Sequence, residues 1–225
     1  GHPDYKNQLS ATHLLSKAVS LIRNSAKSFF SLHSNRYNDK EILFVGAWKK
    51  IEQNGEVINF LLEELGNDLK DSCLILERPA NLVHKKDSLG DVVIFTDYLE
   101  VLWGASLKLG RYKHQANQVK TDVFEVISKL ENELNIKVDR SSISHRVDYV
   151  VAAYYSLSKQ LEKFFLRINP KCVVETEHYS VFSLVSNGVL KQLEIPIIEL
   201  QHGQVRGILL TTFQHQIAKD ICQTK

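Results

Sequence analysis

Among its 225 residues the chain has no methionine. A complete translation product starts with one, so a trimmed piece of a longer coding sequence is expected, with Gly1-His2 an extraneous start to be set aside. Cysteine is scarce. Cys73, Cys172 and Cys222 stand far apart, without CxxC spacing and odd in number, which gives neither a metal site nor a disulfide framework. Buried, reduced thiols of a cytosolic protein are the expectation. No apolar run approaches the ~20 residues that span a bilayer, and "GHPDYKNQLS" has no signal-peptide hydrophobic core. An excess of one charge is missing too. The formal net charge of +2 is too small for nucleic acid or an anionic membrane to be the main partner. There is no GxGxxG, no Walker sequence and no GxSxG elbow, and Gly104 and Gly110 are too isolated to cradle phosphate. His84, His114, His145 and His215 lack metal-ligand spacing among themselves, so no metal is expected.

What is present suits a sizeable core: 44% hydrophobic and 24% charged residues. Leu14, Leu15, Ala18, Val19, Leu21 and Ile22 recur at helical spacing, which predicts an amphipathic helical region over 5–32, followed by the polar loop "HSNRYNDK". It reads as an arm packed on the main body, or alternatively as a docking helix for a partner or a membrane surface. Short apolar runs predict strands at 41–48, 73–77, 92–95, 171–180 and in "PIIELQHG". Helices are predicted between them: 55–65, with Val57, Ile58, Leu61, Leu62 and Leu65 on one face; a helix after Thr96, which Asp97 could cap; 119–135, with Val123, Val126, Ile127 and Leu130 inward; 143–168, stopped by Pro170; and 181–195. Residues 110–118 read as a loop and the tail from Ile208 as a closing helix. The strands are continuous apolar runs that do not alternate, the mark of a parallel sheet buried on both faces. The expected fold class is α/β: a Rossmann-like, doubly wound, mostly parallel sheet over 41–225, with residues 1–40 as an N-terminal helical arm.

Such sheets bind ligands outside the carboxyl ends of their strands. Those ends read Gly46-Ala47-Trp48, Glu77-Arg78-Pro79, Thr96-Asp97-Tyr98, Glu175-Thr176-Glu177-His178-Tyr179 and Glu199-Leu200-Gln201-His202-Gly203. "ETEHYS" sets two carboxylates and an imidazole within four residues, and a carboxylate beside a histidine raises its basicity. In "ELQHG", Gly203 lets the backbone approach a ligand and His202 stands at the mouth of the fold. If these two strands are neighbours, Glu175, Glu177 and His178 lie near His202. The plainer reading makes His202 a polar strand cap, pairs Glu175 with a lysine, and puts Trp48 in the core or on a cleft wall.

The segment 164–205, about a fifth of the chain, resembles bacterial glycosyltransferases of capsule and O-antigen assembly. It carries their phrase of Pro-Lys-x-Val, a helix, then Gly-Ile-Pro and a strand closing in Glu-x-Gln-His-Gly. The matching residues are Pro170, Lys171, Val173, Val174, Ile195, Pro196, Glu199, Gln201, His202 and Gly203, with Glu194 where many relatives have glycine. The resemblance implies the acceptor-side half of a GT-B fold, two Rossmann-like domains facing across a cleft. It implies His202 and Glu177 as catalytic candidates, and Glu175, His178, Glu199, Gln201, Gly203, Gly46 and Trp48 as substrate contacts. The co-substrate would be a nucleotide-activated sugar and no other cofactor is implied. Only 22 residues follow Gly203, so the donor domain is expected to be missing from this chain. The partners implied are a glycan or lipid-linked acceptor and a sugar nucleotide held by that domain. The place implied is the cytoplasm, at the inner face of the membrane where association is peripheral. A non-catalytic Rossmann-like scaffold and a polyol-phosphate transferase of teichoic-acid type are the alternatives.

Overall fold

The computed structural model describes residues 11–46, 50–53, 56–59, 68–78, 92–175 and 180–200, with side chains for 16–46, 68–78, 92–175 and 180–200. In chain order the elements are α1 (Ala11–Leu32), β1 (Ile42–Gly46), β2 (Lys50–Gln53), β3 (Glu56–Asn59), β4 (Cys73–Glu77), β5 (Val93–Phe95), α2 (Asp97–Lys108), α3 (Lys113–Leu134), α4 (Arg140–Ile168), β6 (Cys172–Glu175), α5 (Val181–Gln192) and β7 (Ile197–Glu199).

Five strands form one sheet in the order β5-β4-β1-β6-β7, and every pairing is parallel. Counted along the chain, that order is 3-2-1-4-5, the Rossmann-like arrangement. β1, β4 and β6 are buried at every position, because both faces of a central parallel strand are covered. On one face Leu43, Val45, Leu74, Leu76, Ile94 and Val173 meet the helices through Leu32 of α1, Trp103 of α2, Phe165 of α4 and Phe182 of α5. Each such Leu or Phe contributes about 1.5–3 kcal/mol by leaving water. The steps β5→β6 and β6→β7 both move toward the β7 edge. Crossovers of one hand then place their helices on one face, as α2, α4 and α5 are. The other face gathers Ile42, Phe44, Cys73, Ile75, Cys172 and Val174, with Leu69, Ile198 and Leu200 against it.

The register sets Cys73 and Cys172 on opposite sides of Ile42. Two strand spacings of about 4.8 Å separate them, beyond the ~7 Å Cα span of a disulfide. Burial pushes the Cys73 thiol up to about 11, against the weaker pull of Lys40. Both are buried thiols; Cys222 lies outside the described residues.

Several expectations are corrected. Residues 56–59, read as the start of a helix, form β3, antiparallel to β2 with Gln53 opposite Glu56. The two residues between them in sequence are Asn54 and Gly55, the pair that most favours a two-residue hairpin. The loop read at 110–118 is shorter, since α3 begins at Lys113. Val126 and Leu130, expected inward on α3, are 57% and 44% exposed, because α3 packs chiefly on α4. β7 is an edge strand of three residues, although its apolar run reads like a central one. The closing helix predicted from Ile208 lies outside the described residues.

α1 is tied into the body at the end of β5. The Ser28 hydroxyl donates to the Phe95 carbonyl at 2.6 Å and accepts from the Tyr98 N–H at 3.1 Å. Ser28 thereby caps α2 from 70 residues away, where Thr96, the N-cap residue, makes no side-chain cap of its own. The Arg167 guanidinium donates to the Leu32 carbonyl, one turn further on, so both ties hold the carboxyl end of α1. Among the described residues no helix is long and apolar enough to cross a membrane.

Candidate functional site

The carboxyl ends of the parallel strands line up as one row. In register it reads Phe95, Glu77, Gly46, then Glu175 one step along beside Val45, and Glu199 at the edge. From β1 the chain goes on to β4, toward one edge. From β6 it goes on to β7, toward the other. The switch point of the sheet therefore lies between β1 and β6, where ligands of open α/β sheets bind. Gly46 ends β1 there with φ of 150°, a conformation that side chains disfavour, so only glycine closes this strand without strain.

Alternation along the strands sorts the carboxylates. Glu77 follows Cys73 and Ile75 toward the face away from the helices, while Glu175 follows Val173 toward the helical face. Glu175 is fully buried. Its Oε2 accepts a hydrogen bond from Asn187 Nδ2 of α5 at 2.8 Å. Its Oε1, and Oδ1 of Asn187, are buried with no hydrogen-bond partner among the described residues. A carboxylate stripped of water and supported by one amide is a poor anion. Burial raises the Glu175 pKa to about 7, the Asn187 hydrogen bond opposes this, the negative charge of Glu199 adds to it, and the Ser186 hydroxyl weakly opposes it.

α5 is aimed at this point by its start. Ser180 is the N-cap and accepts from the Ser183 N–H at 3.1 Å, and its hydroxyl donates to Ser183 Oγ at 2.9 Å. The helix then carries Asn187 to Glu175 while Phe182, Val185 and Val189 fill the core. Arg78, the residue after β4, bridges the two helices that flank the row. Its Nε donates to Glu100 Oε1 of α2 at 2.7 Å, and its guanidinium stands 5.5 Å from the Phe182 ring centre. The rim thus carries an oriented cation, Arg78 after β4, and a buried carboxyl, Glu175 at the end of β6, with β1 between the two strands.

Of the residues singled out from the sequence, the structure brings Glu175 and Glu199 together as Cα partners on adjacent strands, with Gly46 one strand further in. The pairing of β6 with β7 is the neighbourhood on which the Glu175–His202 proximity depends. Trp48, Glu177, His178, Gln201, His202 and Gly203 lie outside the described residues. Glu175 is bonded to an amide where the plainer reading gave it a lysine. Sequence reading missed Asn187. Its signal was a polar run, Ser183, Ser186 and Asn187, on a helix otherwise apolar toward the core, and both serines are buried.

The chain matches no protein-family model, no curated protein and no solved structure. Its class is therefore defined by the fold and the rim alone: an open, all-parallel α/β sheet of Rossmann-like strand order, with a buried protonatable carboxyl at the switch point.

Proposed function

We propose that this chain is the acceptor-side half of a GT-B-type glycosyltransferase of surface polysaccharide assembly. It passes a sugar from a nucleotide-activated donor to a hydroxyl of a glycan or lipid-linked acceptor. The observation that carries the reading is Glu175: a buried carboxyl at the switch point, pKa about 7, with one oxygen lacking a donor among the described residues. A general base works best when its pKa lies near the operating pH. In the transfer, the acceptor oxygen forms a bond to the anomeric carbon, the acceptor proton passes to Glu175, and the nucleotide leaves with the electron pair of the broken bond. The phrase ending in Gln201-His202-Gly203 supports the same reading, since its Glu199 lies in β7, the strand paired with β6. His202 then assists at the reacting sugar, and the diphosphate is held by the opposing domain. The work is done in the cytoplasm at the membrane face where lipid-linked acceptors are met.

The test uses the full-length gene product. Glu175→Gln is expected to lower kcat for sugar transfer by about 10²–10⁴-fold, with donor KM little changed. The limb of the pH–rate profile near 7 should vanish with it. Wild-type kcat in a folded Glu175→Gln enzyme would sink the assignment.

A further inference from the structure

Helix α3 has 22 residues and only Ala116 is buried. One side of it is spoken for by α4. Lys120 Nζ meets Asp148 Oδ1 at 2.7 Å, Arg140 reaches Glu131 Oε2 at 2.6 Å and Ser128 Oγ at 3.0 Å, and the Arg140 guanidinium stands 5.7 Å from the Phe124 ring centre. Beside that contact runs a second stripe: Val119, Val123, Val126 and Leu130. The steps of four, three and four residues are those of a coiled-coil seam. Three of its members are well exposed, Val119 at 40%, Val126 at 57% and Leu130 at 44%. An apolar seam on an otherwise polar helix marks an interaction surface.

The charges beside the seam select its occupant. On the flank away from α4 lie Asp122 and Lys129, seven residues apart and both exposed; Lys129 Nζ also meets Glu125 Oε1 of its own helix at 2.8 Å, an exposed pair that contributes little and does not bar a second partner. Two copies of α3 laid antiparallel about a two-fold axis set Val123 against Val126 of the second copy, and Val119 against Leu130. The same register sets Asp122 beside Lys129 of the second copy, and symmetry makes this contact twice. A parallel, in-register pair would place Asp122 against Ile127 and Lys129 against Leu134, with no charge matched. We infer that α3 is a self-association surface, and that two chains pair antiparallel through Val119, Val123, Val126 and Leu130 with Asp122–Lys129 contacts at the edges. This rests on the helical hairpin alone and is independent of the chemistry at Glu175.

Four layers make a small seam, so a weak, concentration-dependent dimer is expected, of the size class of transient contacts. Sedimentation equilibrium of the whole 225-residue chain, from ~1 to ~200 µM, reads it. The wild type should pass from monomer to dimer across that range. Leu130→Glu should stay monomeric with an unchanged circular dichroism spectrum. Asp122→Lys alone and Lys129→Asp alone should each weaken the dimer about tenfold or more, through like charges meeting twice. The double variant Asp122→Lys/Lys129→Asp should restore it. A wild type monomeric throughout, a dimer that survives Leu130→Glu, or a double variant no better than the single ones overturns the inference.

Discussion

Strand β4 and helix α3 use the same kinds of apolar residue to opposite ends. Cys73, Leu74, Ile75 and Leu76 are fully buried, whereas Val119, Val126 and Leu130 stand in solvent. The difference lies in what each element must hide. A central parallel strand has neighbours on two edges and packed layers on two faces, so every side chain is enclosed. A helix in a two-helix hairpin encloses one stripe, and a second apolar stripe beside it stays open. Apolar content therefore marks the core of the sheet, but on α3 it marks a contact surface.

The largest effect expected from breaking this contrast comes from truncating equivalent bulk in the two regions. Phe165 lies at the body end of α4, fully buried against the sheet. Phe165→Ala should cost about 3–5 kcal/mol, the transfer term plus the cavity left behind. Leu130→Ala, on the open stripe, should change monomer stability by about 0.5 kcal/mol or less. Urea unfolding at low protein concentration measures both, and comparable losses would mean that α3 is enclosed in the monomer.

Next in size is the pH response at the rim of the sheet. The folded protein holds the Glu175 proton until about pH 7, whereas the unfolded chain releases its own near the ordinary 4.5. Between those values the native state binds the extra proton, so stability falls as pH rises, by about 1.4 kcal/mol per unit, and levels off above 7. The contribution is fully present below pH 4.5 and about 3 kcal/mol smaller by pH 8. Glu175→Gln, which cannot ionise, should remove that slope and be more stable than wild type at pH 8. The carboxylates of the hairpin behave the other way. Glu131 is held below the ordinary carboxylate range by the Val138 N–H and by Arg140, both near the hairpin tip, and Asp139 by Ser142 and Ser141. Unfolding midpoints of both proteins from pH 4 to 8 check the slope; parallel curves would refute a raised Glu175 pKa.

Much of the sheet was legible because a buried parallel strand leaves little freedom: five short apolar runs mark five strands. The position of β7 was not, since Ile197 and Ile198 have the composition of a central strand and only the pairing order puts them at an edge. The β2–β3 hairpin was hidden by an accident of period. Val57, Ile58, Leu61, Leu62 and Leu65 fit a helical face, and the sequence pair Asn54-Gly55, which favours a tight turn, competes with that period. At the site, Glu175 could be read from its strand end. Asn187 left only the faint signal of a polar run on an apolar helix, because it reaches Glu175 from the next element through the capped start of α5. The exposure of Val126 and Leu130 was illegible for a related reason: periodicity shows which residues share a face, not what that face meets.

The smallest effect compares the turns that close the helices of the two regions. α3 ends in Asn135 with φ of 51°, and α4 in Asn169 with φ of 49°. Asparagine tolerates the left-handed region well. The turn from α5 into β7 uses Glu194 instead, with φ of 58°. Its conformation is fixed by the helix ending: Glu194 N–H donates to the Lys191 carbonyl, and Ile195 N–H reaches back to the Leu190 carbonyl at 3.0 Å. That six-to-one bond is the closure for which glycine is preferred. A side chain there costs about 1 kcal/mol or somewhat more. Glu194→Gly should therefore raise stability by about 0.5–1 kcal/mol, net of the freedom glycine adds to the unfolded chain. Asn135→Gly in the hairpin should move it by only a few tenths. Thermal unfolding of the two variants side by side tests this, and a loss of stability in Glu194→Gly would show that the Glu194 side chain contributes more to the junction than its backbone strain removes.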